Sequence, residues 1–398
     1  MRVLISAESF VPSVNGVAGS VLQIADELTS AGHVVRIIAP APGPSEVWFG
    51  GPVEGRRVSV DRVKGCTVPT YPTLSFGLLT ARSTRAIIES FEPDVVHLAA
   101  PVTLGHAVAR AAAQLDVPTV AVFQTDLAGF LASRGARAAA APVWSWLKLV
   151  HSSATLNLAP TEGIAQELRA RGFHRVGVWG RGVDRQTFDP SRRSDTFRRS
   201  VGCGPGDVLM GYVGRLAPEK EIWRLATVAS EAKRPGSRVK LVVVGDGPSR
   251  SELQTILGGA VFTGMLSGPE LGEAMASLDL FVHTGSHDTF GQTIQEAMAS
   301  RVAVVAPDAG GPADLVDHGR TGLLYDPTSA SQLNDAVSWL VDSPTKRAQL
   351  AEAGFEAVRE RSWGVRTRQL VGWYEQAGVL SAAAPPSGQR PPRMRRAA

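Results

Sequence analysis

Asp94-Val-Val-His-Leu98 and Thr119-Val-Ala-Val-Phe123, bracketing a helical stretch near Thr103–Leu115, decide the fold class. Each flanking run is short, apolar and rich in β-branched residues, as a buried core strand requires. A strand, a helix and a second strand in this order make a βαβ unit, whose strands lie parallel with the helix on one face.

The same rhythm extends outward in both directions. Arg2-Val-Leu-Ile-Ser6 reads as a strand, and Ala18–Ala31 as a helix with Val21, Ile24, Ala25 and Leu28 on one face. Gly32 ends that helix and Val34–Ile38 follows as a strand. Arg181-Gly-Val-Asp-Arg-Gln-Thr-Phe-Asp-Pro190 and the polar run to Arg199 read as an interdomain linker. Beyond it, Val208–Val213, Lys240–Val244, Val261–Thr263, Leu280–His283 and Val302–Ala306 supply five strand candidates with helices between. Ser267-Gly-Pro-Glu270 matches a capping box, and the last helices run from about Thr345 to Ala377. The expected fold is α/β, with two Rossmann-like, doubly wound domains over 1–183 and 184–375 and the last helices free to pack back on the first. Residues 381–398, rich in Pro, Ala and Arg, read as a disordered basic tail. Facing sheets of this kind put their binding crevices on a shared cleft.

Composition narrows the function classes. With 398 residues and 44% hydrophobic content, each half can bury its own core. The net charge is +4, but Arg390, Arg393, Arg395 and Arg396 lie in the tail, so the body is close to neutral and no nucleic-acid partner is expected. Cys66 and Cys203 have no metal-ligand spacing and suit a reducing cytosol. Glu8 interrupts the N-terminus before a signal-peptide core can form, and no run reaches the roughly 18 apolar residues of a membrane span. A soluble cytoplasmic protein is expected, at most peripheral on the inner face of the plasma membrane.

Two loops carry the chemistry. In Val213-Gly-Arg-Leu-Ala-Pro-Glu-Lys220, Arg215 and Lys220 project from the loop after a strand, where ligands of such sheets bind. A planar fork and a mobile point charge together suit a diphosphate; the alternative is a solvated loop with incidental charges. In His283-Thr-Gly-Ser-His-Asp-Thr-Phe-Gly-Gln-Thr-Ile-Gln-Glu-Ala-Met298, a helix begins near Phe290–Gln292, and its free amides make a phosphate seat. Asp288 can face the cleft and Glu296 can accept hydrogen bonds from ribose hydroxyls. The alternative is that Asp288 caps the helix and Glu296 is a surface acid.

The acid-x7-acid pattern around Phe-Gly, the Gly-Arg-Leu-x-x-Glu-Lys loop, Val244-Gly-Asp-Gly-Pro248, Gly310-Gly-Pro and Gly319-Arg-Thr-Gly322 occur in the order seen in retaining glycosyltransferases of family four. Arg-Gly-Val-Asp-x-x-x-Phe-x-Pro resembles that family's Gly-Val-Asp-x-x-x-Phe-x-Pro. His287-Asp-Thr-Phe-Gly-Gln-Thr and Phe123-Gln-Thr-Asp-Leu-Ala-Gly129 look most like actinobacterial GDP-mannose-dependent α-mannosyltransferases of glycolipids. The resemblance, over nearly all of residues 1–375, implies the GT-B architecture of two facing Rossmann-like domains. It implies that Arg215 and Lys220 hold the donor diphosphate, Asp288 lies near the sugar hydroxyls, and Glu296 binds the ribose. Phe290, Gly291 and Gln292 would present amides to the phosphates, and Gly16, in Pro12-Ser-Val-Asn-Gly16, would let the diphosphate approach. Two positions depart from the pattern: Asp288 stands for a usual Glu, and Gln124 for a usual histidine, with Asp126 two residues on. Gln124 hydrogen-bonds a hydroxyl but gains no proton near neutral pH, and Asp126 is the candidate for the missing charge.

The expected activity is retaining transfer of a hexose, best matched by mannose from GDP-mannose, to a hydroxyl of a glycolipid or glycan, without a metal or other cofactor. The alternatives are a catalytically silent nucleotide-sugar-binding subunit, or the same fold with another donor and a soluble acceptor. A Rossmann dehydrogenase does not fit, because no G-x-G-x-x-G follows the first strand. His97, His283 and His287 lack metal-ligand spacing and read as structural. Phe76, Leu78 and Leu79 beside Arg82 and Arg85, and Trp144-Ser-Trp-Leu-Lys148, read either as helix packing or as an interfacial patch for anionic lipid.

Overall fold

The structure, a computed structural model, describes residues 1–50, 55–68, 71–133, 135, 137–233 and 237–383. Two parallel sheets organise them. The first has the spatial order Val176–Val178, Leu156–Ala159, Thr119–Val122, Val95–Ala99, Arg2–Ala7, Val34–Pro40, Arg56–Val63, Glu46–Phe49. Only the last pair is antiparallel. The strands quoted first, Val95–Ala99 and Thr119–Val122, are neighbours in register from Val96 opposite Thr119 to Ala99 opposite Val122. Both are wholly buried, which is why they read as continuous apolar runs.

The second sheet has the order Val261–Gly264, Val239–Val244, Val208–Val213, Leu280–Val282, Ala303–Pro307, Leu323–Tyr325. Helices cover both faces of each sheet, and each face carries its own apolar core. The final helix, Trp363–Ala382, belongs to the core of the first sheet through Trp363, Leu370, Tyr374 and Ala377. Tyr374 Oη meets Nδ1 of the fully buried His97 at 2.9 Å, a structural role for that histidine, and burial pushes its imidazole down to about 3. The chain passes between the sheets twice, side by side, with the Val183 amide donating to the Arg361 carbonyl at 2.8 Å. A Cβ on Gly182 would lie 2.4 Å from the Trp363 Cα, so this crossing requires a glycine.

Several local expectations need correction. The polar run to Arg199 is not irregular throughout. Asp195–Ser200 is a helix, and the buried Arg198 pairs with Asp279 at 2.8 Å, tying the segment to the second sheet. Ser267 stands at its helix start, but its hydroxyl caps nothing, because Gly268 takes a positive φ of 50° there and breaks the regular first turn a capping box needs. Residues 381 and 382 end the last helix, while the rest of the proposed tail, 384–398, lies outside the described residues.

Candidate active site

Both sheets reverse their winding at one point. In the second, strand order turns between Val208–Val213 and Leu280–Val282, so a crevice opens beyond Val213 and Val282. The loops leaving those two ends are the ones that carry Arg215, Lys220, His283 and Asp288. A Cβ on Gly245 would lie 1.9 Å from the Gly214 carbonyl oxygen, and one on Gly247 2.3 Å from that of Leu216. The Val-Gly-Asp-Gly motif thus braces the cationic loop backbone against backbone. Tyr212 Oη adds a hydrogen bond to the Arg215 carbonyl at 3.1 Å.

Lys220 and Asp288 form one ion pair, Nζ to Oδ1 at 2.6 Å, and the other carboxylate oxygen meets His283 Nε2 at 3.1 Å. Burial alone would raise the Asp288 carboxyl, yet Lys220 and His283 hold it well below the usual carboxylate range. Thr284 Oγ1 donates to the Lys220 carbonyl at 2.6 Å, and both the Ser286 amide and hydroxyl bond Glu221, so the two loops are laced together. Arg215 Nη1 lies 4.0 Å from Glu219.

Gly291, at φ 87°, starts the helix Gln292–Ala299, and Phe290 is buried beneath it. A Cβ on Gly311 would come within 2.4 Å of the Phe290 nitrogen, which explains the second glycine of Gly310-Gly-Pro. The Gln292 side chain does not turn to the crevice; its Nε2 donates to the Gly182 carbonyl at 3.0 Å, while Gln295 Nε2 donates to the Arg181 carbonyl at 3.1 Å. Glu296 is half-buried one turn on, and burial pushes its carboxyl up to about 8, Asp184 adding to the rise and Gln292 and Arg181 opposing it.

On the first sheet the corresponding reversal falls between Arg2–Ala7 and Val95–Ala99. Asn15 caps the helix Gly16–Ser30, its Oδ1 accepting from the Val17 and Ala18 amides at 3.0 Å. The space over Gly16 holds the guanidinium of Arg181: a Cβ there would be 2.8 Å from Arg181 Nη1. Arg181 Nη2 donates to Gln124 Oε1 at 3.2 Å, and the Gln124 carbonyl accepts from Thr289 Oγ1 at 2.9 Å across the cleft. Asp126 is occupied locally, its Oδ1 accepting from the Gly129 amide at 2.8 Å at the start of the helix Leu127–Ser133, and burial raises its carboxyl. Glu8, unremarked in the sequence as a site residue, is buried and accepts from the Val102 and Gly105 amides at 2.7 and 2.9 Å, closing the start of the helix Leu104–Gln114.

Comparison with known proteins matches residues 14–187 to the model of Glycosyltransferase Family 4 and residues 194–357 to that of Glycosyl transferases group 1. The chain is 45% identical to the GDP-mannose-dependent alpha-mannosyltransferase of Mycobacterium tuberculosis, over 94% of this chain and 96% of that protein. The chain belongs to glycosyltransferase family 4. A GDP-mannose-dependent alpha-mannosyltransferase of Corynebacterium glutamicum is 39% identical, over 97% of this chain and 91% of that protein. Among solved structures, HepE of Anabaena in complex with UDP superposes with a TM-score of 0.73 at 20% identity, over 94% of this chain and all of that one. Sucrose-phosphate synthase of Thermosynechococcus elongatus gives 0.74 at 18%, over 96% and 100%. The fold of this glycosyltransferase is therefore GT-B, with two Rossmann-like sheets.

The structure brings two further residues to the candidate site: His283, which the sequence presents as structural, lies against Asp288, and Arg181, which it presents as part of a linker, lies against Gln124. The signal for Arg181 was a cation directly before the Gly-Val-Asp motif, at the crossing between the sheets. Glu296 gives a pH test of the ribose assignment. A carboxyl near 8 is mostly protonated at pH 7, and accepting two hydroxyl hydrogens requires it ionised. Donor binding at pH 7 is expected to release close to one proton, visible as a binding heat that varies with buffer ionisation enthalpy. Affinity should rise by up to about tenfold per pH unit toward pH 8 and then level. The dependence should vanish in Glu296→Gln; its persistence there assigns the proton elsewhere.

Proposed function

We propose that this glycosyltransferase moves mannose from GDP-mannose to a hydroxyl of a glycolipid or glycan, with retention and without a divalent metal. The observation that carries the reading is the relatives' shared donor: proteins named for GDP-mannose match this chain over more than nine-tenths of its length, both sheets included. In the reaction the bond from C1 to the diphosphate oxygen breaks and the acceptor oxygen bonds C1 from the same face. The acceptor's proton passes to the departing phosphate oxygen. Negative charge grows on the diphosphate, and Arg215, Lys220 and the amides at the start of Gln292–Ala299 face it in this reading. Preorganised donors of this kind contribute about 3–4 kcal/mol each. Asp288 orients the sugar ring. Its ion pair with Lys220 supports a position at the junction of sugar and diphosphate. The product of transfer in excess chelator is expected to be an α-mannoside by its one-bond carbon–proton coupling. A β-mannoside, or complete loss of transfer restored by magnesium, would contradict the mechanism.

The acceptor proposed is lipid-borne, with the protein peripheral on the inner leaflet. Among the described residues no helix is long and apolar enough to cross a membrane. The helix Ala140–Ser152 exposes Trp146 and Leu149 beside Lys148, and Leu78 is exposed near Arg82 and Arg85. Trp144, by contrast, stacks on Phe123 at 5.8 Å with Arg171 over its ring, so it packs the domain. The Phe76 side chain lies outside the described residues. The protein should sediment with anionic liposomes at low salt and be released as salt rises; equal binding to neutral vesicles, or none, would refute a charged lipid-facing patch.

A further inference from the structure

Two arginines of this chain are equally buried, and only one of them is satisfied. Arg198 and Arg181 are each 7% exposed. Arg198 pairs with Asp279 at 2.8 Å and donates to the carbonyls of Ser277 and Asp207 at 2.9 and 2.8 Å. Arg181 has a neutral amide oxygen, that of Gln124, and its Nε has no partner among the described residues. Desolvating a cation costs several kcal/mol even after the surroundings relax, and a carboxylate repays it only with close geometry and further hydrogen bonds. The two acids whose charge reaches Arg181 do not do so. Asp288 is already shared by Lys220 and His283, and among the described residues neither it nor Glu296 makes an ion pair with Arg181. A guanidinium held this way has donors and charge left for an anion that arrives from outside.

The surroundings fix where it points. Gln295 and Gln292 of the donor helix hold the carbonyls of Arg181 and Gly182, so the backbone is clamped by the element that starts at the phosphate seat. The side chain crosses to the first sheet and fits there because Gly16 has no Cβ. It thus stands over the glycine that family resemblance sets against the diphosphate. Gln124 beneath it carries no charge, and Asp126 is engaged as a helix cap.

We propose that Arg181 is a third cation of the donor site, binding the diphosphate from the first-domain side of the cleft, opposite Arg215 and Lys220. This rests on the donor-site reading given under Proposed function. A permanent cation then stands beside Gln124 on the first-domain side, reaching it from the crossing segment. As the bond from C1 to the diphosphate breaks, Arg181 stabilises the same growing charge as the other two.

Calorimetry on the full chain with GDP and with guanosine tests this, alongside single-turnover transfer. Arg181→Gln is expected to weaken GDP at least about tenfold, the scale of a hydrogen bond to a charged group, with guanosine affinity kept. Transfer should fall further, and added guanidinium should restore part of it in Arg181→Ala. Equal losses for GDP and guanosine would mark Arg181 as a structural clamp and overturn the proposal. So would wild-type GDP affinity with slowed transfer, which would place its anion on the acceptor. Arg215→Ala is the control. If it weakens GDP and Arg181→Gln does not, the inference fails alone; if neither does, or GDP does not bind the wild type, the donor-site reading fails. Should Arg181→Gln not fold, Arg181→Lys carries the test: a severalfold loss for GDP with guanosine unchanged supports the proposal, and no difference between the two ligands overturns it.

Discussion

Arg215→Ala is expected to lower kcat at least about 100-fold, the scale of losing one preorganised donor to developing charge. The loop that carries Arg215 is fixed by the Gly245 and Gly247 approaches and by Tyr212, so removing the side chain should leave the backbone in place. The fork sits beside Glu219 at 4.0 Å. Near-normal turnover in Arg215→Ala would return the residue to the solvated-loop alternative.

Asp288→Asn is expected to cost about as much in kcat, about 100-fold, while nucleoside diphosphate affinity changes little. Asparagine keeps the size and removes the charge on which Lys220 and His283 both converge, at 2.6 and 3.1 Å. Lys220 would lose the anchor that aims it, and the sugar would lose an acceptor for its hydroxyls. Both losses act more on the transition state than on the bound donor. Glu296→Ala should do the reverse and weaken the nucleotide. Calorimetry beside single-turnover transfer separates the two; a wild-type transfer rate in Asp288→Asn would contradict the sugar-pocket assignment.

The contrast between Asp288 and Arg181 shows what a linear sequence reveals. Fold class was legible because fully buried parallel strands write themselves as apolar runs, and Val95–Ala99 and Thr119–Val122 stand as neighbours in the sheet they announced. The two chemical loops were legible because strand ends are recognisable, and the structure brings Lys220 and Asp288 into one pair across 68 residues. What was hidden is contact between side chains from segments with no common period. Arg181 reaches Gln124 across 57 residues, and Gln295 reaches Arg181 across 114. His283 reads as one more strand-end residue until the turn folds Asp288 back onto it. Local rules also misled. Ser267 has the sequence of a capping box and the wrong backbone.

The central claim is that this GT-B glycosyltransferase uses GDP-mannose. Incubating the full chain with GDP-mannose, GDP-glucose, UDP-glucose and UDP-galactose in excess chelator, and measuring nucleoside diphosphate release with and without a glycolipid acceptor, tests it most directly. Release from GDP-mannose above the other donors, accelerated by the acceptor, is the expected result. Turnover of a UDP-sugar in preference, or of no donor at all, would contradict it.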